Sequence, residues 1–159
     1  MNISLKPRTA EHVRIYFEKS GDPAILRTLP RKAQSVEEAL SDYEKTLSED
    51  ASSFGLTIYA DEKYVGDVWC YCIDMNETPN CMISYCIFDK EYWSCGIATR
   101  AAGMFIPIIR EKYSLQSIGA FTYSDNIASI RVLEKNGFST IEEFIEDGIS
   151  SKYLQYNLT

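Results

Sequence analysis

Histidine occurs once in the 159 residues, as His12, and the five cysteines (Cys70, Cys72, Cys81, Cys86 and Cys95) form an odd set with no Cys-x-x-Cys pair. That scarcity argues against a zinc site or a disulfide framework and leaves reduced, mostly buried thiols as the expectation. No stretch approaches the roughly 18 consecutive apolar residues that a membrane-crossing helix needs. The opening residues Met1 to Arg8 also lack the apolar core of a secretory leader, so a cytoplasmic chain with no membrane partner is expected. With only eight Gly and five Pro against 45% hydrophobic and 25% charged residues, the composition excludes collagen-like, low-complexity and disordered chains. Lys and Arg number 16 against 23 Asp and Glu, a net charge of −7, so there is no surplus of positive charge to hold nucleic acid. A cationic substrate or a basic partner suits that balance better. The length fits one folded unit over residues 1–159.

What is present is a changing hydrophobic period. Ile3 to Pro7 reads as a short strand, and Thr9 is an N-cap for a helix carrying Val13, Ile15, Tyr16 and Phe17 that stops near Gly21-Asp22-Pro23. His12, between Glu11 and Arg14 in the first turns of that helix, is expected to be exposed. Ser35-Val36-Glu37-Glu38 has the pattern of a capping box and opens a helix carrying Ala39, Leu40, Tyr43 and Leu47. From Phe54 the pattern turns to β-branched and aromatic residues, and 54–60, 64–73 and 82–88 read as three adjacent antiparallel strands. Ile97, Ala101, Met104, Phe105 and Ile108 then form a helical stripe. A strand over Ile118 to Tyr123 precedes a helix capped at Asn126 whose Ile127, Ile130 and Leu133 face inward. That helix is stopped by Asn136-Gly137, and 138–145 and 151–158 read as a final hairpin. Strand, helix and strand in the middle imply parallel pairing there, in a mixed α/β chain.

Two stretches carry chemistry. Trp93-Ser94-Cys95-Gly96-Ile97-Ala98-Thr99 places Gly and small residues between a strand and a helix start. Backbone N–H groups without helical partners, at the positive end of the helix dipole, suit a phosphate or pyrophosphate there. The residues fit neither the P-loop pattern nor the Gly-x-Gly-x-x-Gly fingerprint. The second stretch runs from Asn126-Ile127-Ala128-Ser129 through Lys135-Asn136-Gly137-Phe138. Taken in register, Trp-x-x-Gly-x-Ala-Thr and Asn-x-x-Ser followed by Lys-x-Gly-Phe resemble the GNAT superfamily of acyl-CoA-dependent N-acyltransferases. The likeness is greatest to the branch that includes the ribosomal-protein N-terminal acetyltransferases. It runs from about Phe54 to the end, and covers the N-terminal helices only in their order.

The resemblance implies a mixed, largely antiparallel sheet, splayed at its centre between the strand ends near Phe88 and Tyr123, with helices on both faces. It implies acetyl-CoA as co-substrate, with the backbone of Cys95, Gly96, Ile97, Ala98 and Thr99 on the pyrophosphate. Ile87 and Phe88 would pair with the pantetheine amides as an added strand. Asn126 would touch the pantetheine arm, with Ser129 one turn on, and Arg131 and Lys135 would reach the 3′-phosphate. The implied reaction is acetyl transfer to a primary amine by direct attack in a ternary complex, with a homodimer left open. Three positions depart from the family pattern. Ser94 and Cys95 stand where Gly and a basic or amide residue are usual, Leu133 stands where many members carry a general-acid Tyr, and Lys152 stands near a usual acid. The acid role is then either dispensed with or moved to Ser129 or Tyr123. The base role is open among Glu77, Asp74, Asp67 and Tyr85, and Tyr71 and Tyr85 are candidates to line the acceptor pocket. Asp22 to Pro30 is expected to form the acceptor side. The acceptor itself stays open among protein N-termini, polyamines, aminoglycosides and amino-acid-like metabolites. A catalytically silent acyl-CoA sensor is the alternative, and an interaction protein with no cofactor a third.

Overall fold

The computed structural model describes residues 1–158. The strands are β1 (Ile3–Pro7), β2 (Phe54–Ala60), β3 (Lys63–Asp74), β4 (Asn80–Ile87), β5 (Ser117–Tyr123), β6 (Ser139–Glu146) and β7 (Ile149–Asn157). They form one sheet in the order β1-β2-β3-β4-β5-β7-β6. The helices are α1 (Ala10–Lys19), α2 (Pro23–Leu26), α3 (Val36–Lys45), α4 (Ile97–Tyr113) and α5 (Ile127–Lys135). All pairings are antiparallel except β4 with β5. Among the described residues, no helix is long and apolar enough to cross a membrane.

Alternation along the strands sends Val68, Cys70 and Ile83 into the main core under α4, where Phe105 stacks on Phe54 at 6.0 Å. The opposite face presents Trp69, Cys86 and Phe88 to Tyr16 of α1 and Ile25 of α2. Helices therefore cover both faces, as expected. What positions the site is the parallel ladder, which has only three rungs, Asn80 with Ser117, Cys81 with Ile118 and Met82 with Gly119. Beyond Met82 the strands part, while β5 stays paired to β7 along its whole length. The splay expected between the ends of β4 and β5 is there.

Local chemistry explains most boundaries and a few departures. Thr9 and His12 form a reciprocal cap in which Thr9 Oγ1 accepts from the His12 N–H at 3.3 Å and His12 Nδ1 accepts from the Thr9 N–H at 3.0 Å. His12 Nε2 meets the Tyr59 hydroxyl at 2.7 Å, so this ring is half-buried and structural rather than exposed. The α4 stripe holds at Ile97, Ala101 and Phe105, but Met104 and Ile108 lie outward and Ala102, Ile106 and Ile109 are buried instead. The buried face drifts round the helix at 3.6 residues per turn, beyond the offsets that the sequence suggests. Ile127, at the first position of α5, is exposed, whereas Ile130 and Leu133 pack inward as expected.

Candidate active site

The splay opens into a cavity of about 600 Å³, a size in the usual range for small-ligand sites. One wall is the loop before α4 and the first turn of that helix. Gly96, the N-cap, has φ +75°, and a Cβ there would meet nothing within 4 Å, so the backbone is open to the cavity. α1, α3 and α5 are capped by Thr9, Ser35 and Asn126, but α4 has no side-chain cap and no acidic residue in its first turn. Among the described residues, the N–H groups of Ile97, Ala98 and Thr99 have no acceptor. An uncapped helix start that faces a cavity is ready to hold an anion.

The opposite wall comes from α5. Asn126 Oδ1 accepts from the Ser129 N–H at 3.2 Å, which fixes the helix start. Arg131 and Lys135 follow on the same helix, and both line the cavity. Ser129 meets β4 across the splay: the Tyr85 hydroxyl donates to the Ser129 carbonyl at 3.2 Å and shares a hydrogen bond with Ser129 Oγ at 2.9 Å. Burial pushes the Tyr85 phenol up to about 12, with the Ser129 bond opposing the shift. Leu133 lines the cavity and is buried.

Several expected residues fall elsewhere. Glu77 is exposed in the turn between β3 and β4, at the end of β4 remote from the splay, and it is not part of the cavity wall. Tyr123 ends β5 outside the cavity wall. Phe88 is also displaced: its N–H already donates to the Val65 carbonyl at 2.9 Å and its ring is buried against Tyr16 and Tyr64. Ile87 remains on the cavity wall, but its carbonyl accepts from Trp93 Nε1 at 2.6 Å. Asp67 is buried and held by Arg8 at 3.1 Å and by the Tyr64 hydroxyl at 2.6 Å. Burial raises its pKa, opposed by Arg8. Asp74 caps its own turn through Asn76, and Tyr71 does not reach the cavity.

The segment Asp22 to Pro30, expected on the acceptor side, reaches the cavity through residues 24–29. Asp22 caps α2 by accepting from the Ala24 N–H at 2.9 Å, and Pro23 stands at the first helical position. Ile25 anchors the turn on Cys86 and Phe88, and Ala24, Arg27, Thr28 and Leu29 line the cavity beside it. Ser84 and Phe121 join this wall and were not singled out from the sequence. Ser84 was foreseeable as a residue of the strand flanking the splay. Among the described residues no Asp or Glu lines the cavity, although acids make up 23 of the 159 residues. The acid excess of the chain therefore lies elsewhere.

A mixed sheet split between two parallel strands, with an uncapped helix start at the split, defines the fold class. Residues 2–139 match the acetyltransferase (GNAT) domain, and the chain belongs to that family. A curated relative, a probable N-acetyltransferase YjcK of Bacillus subtilis (strain 168), is 28% identical over 119 residues. The match spans 74% of this chain but only 62% of that protein. Among solved structures, a spermidine N-acetyltransferase from Vibrio cholerae in complex with CoA and spermine superposes with a TM-score of 0.86 at 14% identity. That likeness covers 98% of this chain and 95% of the other. The RimL ribosomal L7/L12 alpha-N-protein acetyltransferase in complex with coenzyme A gives 0.83 at 15% identity, over 99% and 94% of the two chains. At these identities the solved structures establish the fold.

Proposed function

We propose that this protein transfers an acetyl group from acetyl-CoA to a primary amine, the acceptor being a protein N-terminus or a small amine. The observation that carries the reading is the uncapped start of α4 facing the gap between β4 and β5. The family match and the coenzyme A complexes of the structural neighbours support it. The residues present fit coenzyme A. The backbone of Cys95 to Thr99 would hold the pyrophosphate, Arg131 and Lys135 the 3′-phosphate, and Asn126 with the β4 edge at Ile87 the pantetheine arm. Bound acetyl-CoA supplies an activated thioester.

What the chain adds is placement and exclusion of water. With Tyr123 and Glu77 outside the cavity, Tyr85 and Ser129 are the expected catalytic groups left on its wall, which Leu133 also lines. A phenol near 12 is a poor proton donor to a departing thiolate with a pKa of about 8.5. Tyr85 therefore positions Ser129 and the two walls, and the thiolate leaves without a dedicated acid. Among the described residues, no carboxylate lines the cavity to take a proton from an ammonium. The amine must then arrive as free base or lose its proton to solvent. An α-amine with a pKa of about 7.8 is roughly one-seventh free at pH 7, against about one part in 2,500 for an alkylamine near 10.4. The site therefore favours the weaker base. All five cysteines are free thiols, in keeping with a reducing compartment, and we place the reaction in the cytoplasm, with residues 1–159 as one acetyltransferase domain.

Titration calorimetry with acetyl-CoA, followed by chromatographic detection of released CoA with a panel of amines, tests the reading. Saturable micromolar binding and amine-dependent release are expected. Binding should be lost in Gly96→Pro, because Pro cannot adopt the positive φ of Gly96. Absence of binding by folded wild type overturns the reading. Binding without release from any amine replaces it with a catalytically silent sensor.

A further inference from the structure

Once the α5 cations and the α4 start are assigned to the co-substrate, one charged group on the cavity wall is left over. It is Arg27, directly after α2. Its place is fixed from below. Ile25 is buried against Cys86 and Phe88, and the Arg27 N–H is held by the carbonyls of α2. Arg27 is exposed to solvent, and among the described residues its guanidinium has no ion-pair or hydrogen-bond partner. The nearest acid in sequence, Asp22, is already engaged by Lys90 at 2.8 Å and by the Ala24 N–H. Arg27 shares its wall with Thr28, Leu29, Ser84 and Phe121, a surface of hydroxyls and apolar groups with no carboxylate.

An acceptor approaching this wall meets positive charge only. A polyamine would bring several ammonium groups toward an uncompensated guanidinium, in a cleft whose other cations are Arg131 and Lys135. An amine with a carboxylate nearby would place that anion on the planar fork of Arg27, the geometry that guanidinium groups recognise best. Resting on the acetyltransferase reading above, we infer that the acceptor is an amine bearing an anionic group a few bonds away, and that Arg27 is the specificity-determining residue that selects it. This reverses, for the site, what the net charge of the whole chain suggests.

The test compares acceptors with the same α-amine and different second residues, namely Ala-Asp-amide, Ala-Asn-amide and Ala-Lys-amide, together with 4-aminobutanoate, 4-aminobutanamide and spermidine. Wild type is expected to show kcat/KM about tenfold or more higher for the anionic member of a pair, because hydrogen bonds to a charged partner shift affinity by about ten- to a hundredfold. In Arg27→Gln that preference should fall to within about twofold, and Arg27→Lys, which keeps the charge but not the fork, should retain part of it. The dissociation constant for acetyl-CoA, measured without acceptor, should stay within about twofold in Arg27→Gln. That arm separates an acceptor-reading residue from a phosphate ligand. A wild-type preference for the neutral or cationic acceptor, or a preference that survives Arg27→Gln, overturns the inference and leaves acetyl transfer standing. So does loss of acetyl-CoA affinity in Arg27→Gln with acceptor ratios unchanged. If wild type binds no acetyl-CoA, or turns over no acceptor, the reading beneath it falls and takes the inference with it.

Discussion

Replacing Tyr85 by Phe and Ser129 by Ala, singly and together, separates a clasp from a proton donor. The two side chains meet at 2.9 Å across the splay, and a net hydrogen bond of this kind contributes about 1 kcal/mol. With unfolding entropy of about 2.1 cal/mol/K per residue, a chain of 159 residues loses roughly 3 °C in Tm for each kcal/mol. Each single variant should therefore melt about 3 °C lower. The double variant should melt only slightly below the singles, since both remove one shared interaction. For catalysis, proton transfer from a phenol near 12 to a thiolate near 8.5 is uphill by about 5 kcal/mol. The expected fall in kcat for Tyr85→Phe is therefore below tenfold, with no limb of the pH profile displaced. A general acid would cost about 10²- to 10⁴-fold and remove its own limb. The assay should follow acetylated product by chromatography, because the exposed thiols of Cys72 and Cys95 would react with a thiol reagent. A fall beyond a hundredfold at unchanged acetyl-CoA affinity, or non-interacting Tm effects in the double variant, would refute the clasp.

Arg8→Met strands Asp67, whose side chain is only 3% exposed. Breaking such a pair costs about 3–5 kcal/mol, so Tm should drop by roughly 9–15 °C; Arg8→Met with Asp67→Asn should recover most of that, and failure to recover would show the pair to be unimportant. The Thr9 N–H donates to His12 Nδ1, so the folded ring is neutral with its proton on Nε2, and burial lowers its pKa below 6.5. The unfolded chain then binds more protons as pH falls below about 6.5, so this group's stabilisation, full above that pH, is lost on acidification toward the folded value. Thermal melts at pH 7.5 and 5.5 should show a smaller difference for His12→Gln, which keeps an acceptor for the cap; an unchanged difference removes His12 from the acid response.

The sequence was most legible where one physical signal decides one element. Thr9, Ser35 and Asn126 are short polar side chains before apolar periods, and each caps the helix expected of it. The final hairpin closes on Asp147-Gly148, both at positive φ, the geometry that a two-residue turn favours. α2 escaped, although Asp22 and Pro23 carry the signals, because four residues show no period. Met104 and Ile108 misled because a stripe of apolar residues does not say which edge the sheet will cover. Within the site, the loop before α4 and the Asn126 helix were legible as motifs. Glu77 and Tyr123 were not, because neither could be placed relative to the splay without knowing where the three-rung ladder ends. The lack of carboxylates around the cavity was invisible for a related reason: a net charge sums over the surface, whereas recognition depends on where each charge stands.

The indole of Trp93, tied to the last carbonyl of β4, makes this protein its own optical probe. The chain has two tryptophans. Trp69 is packed against Tyr16 on the far side of β4, whereas Trp93 is 42% exposed on the loop before α4. A ligand settling on that loop changes the surroundings of one emitter and leaves the other as an internal standard. Trp93→Phe supplies the blank. Occupancy can thus be followed in the emission of the unlabelled protein before any acceptor has been found.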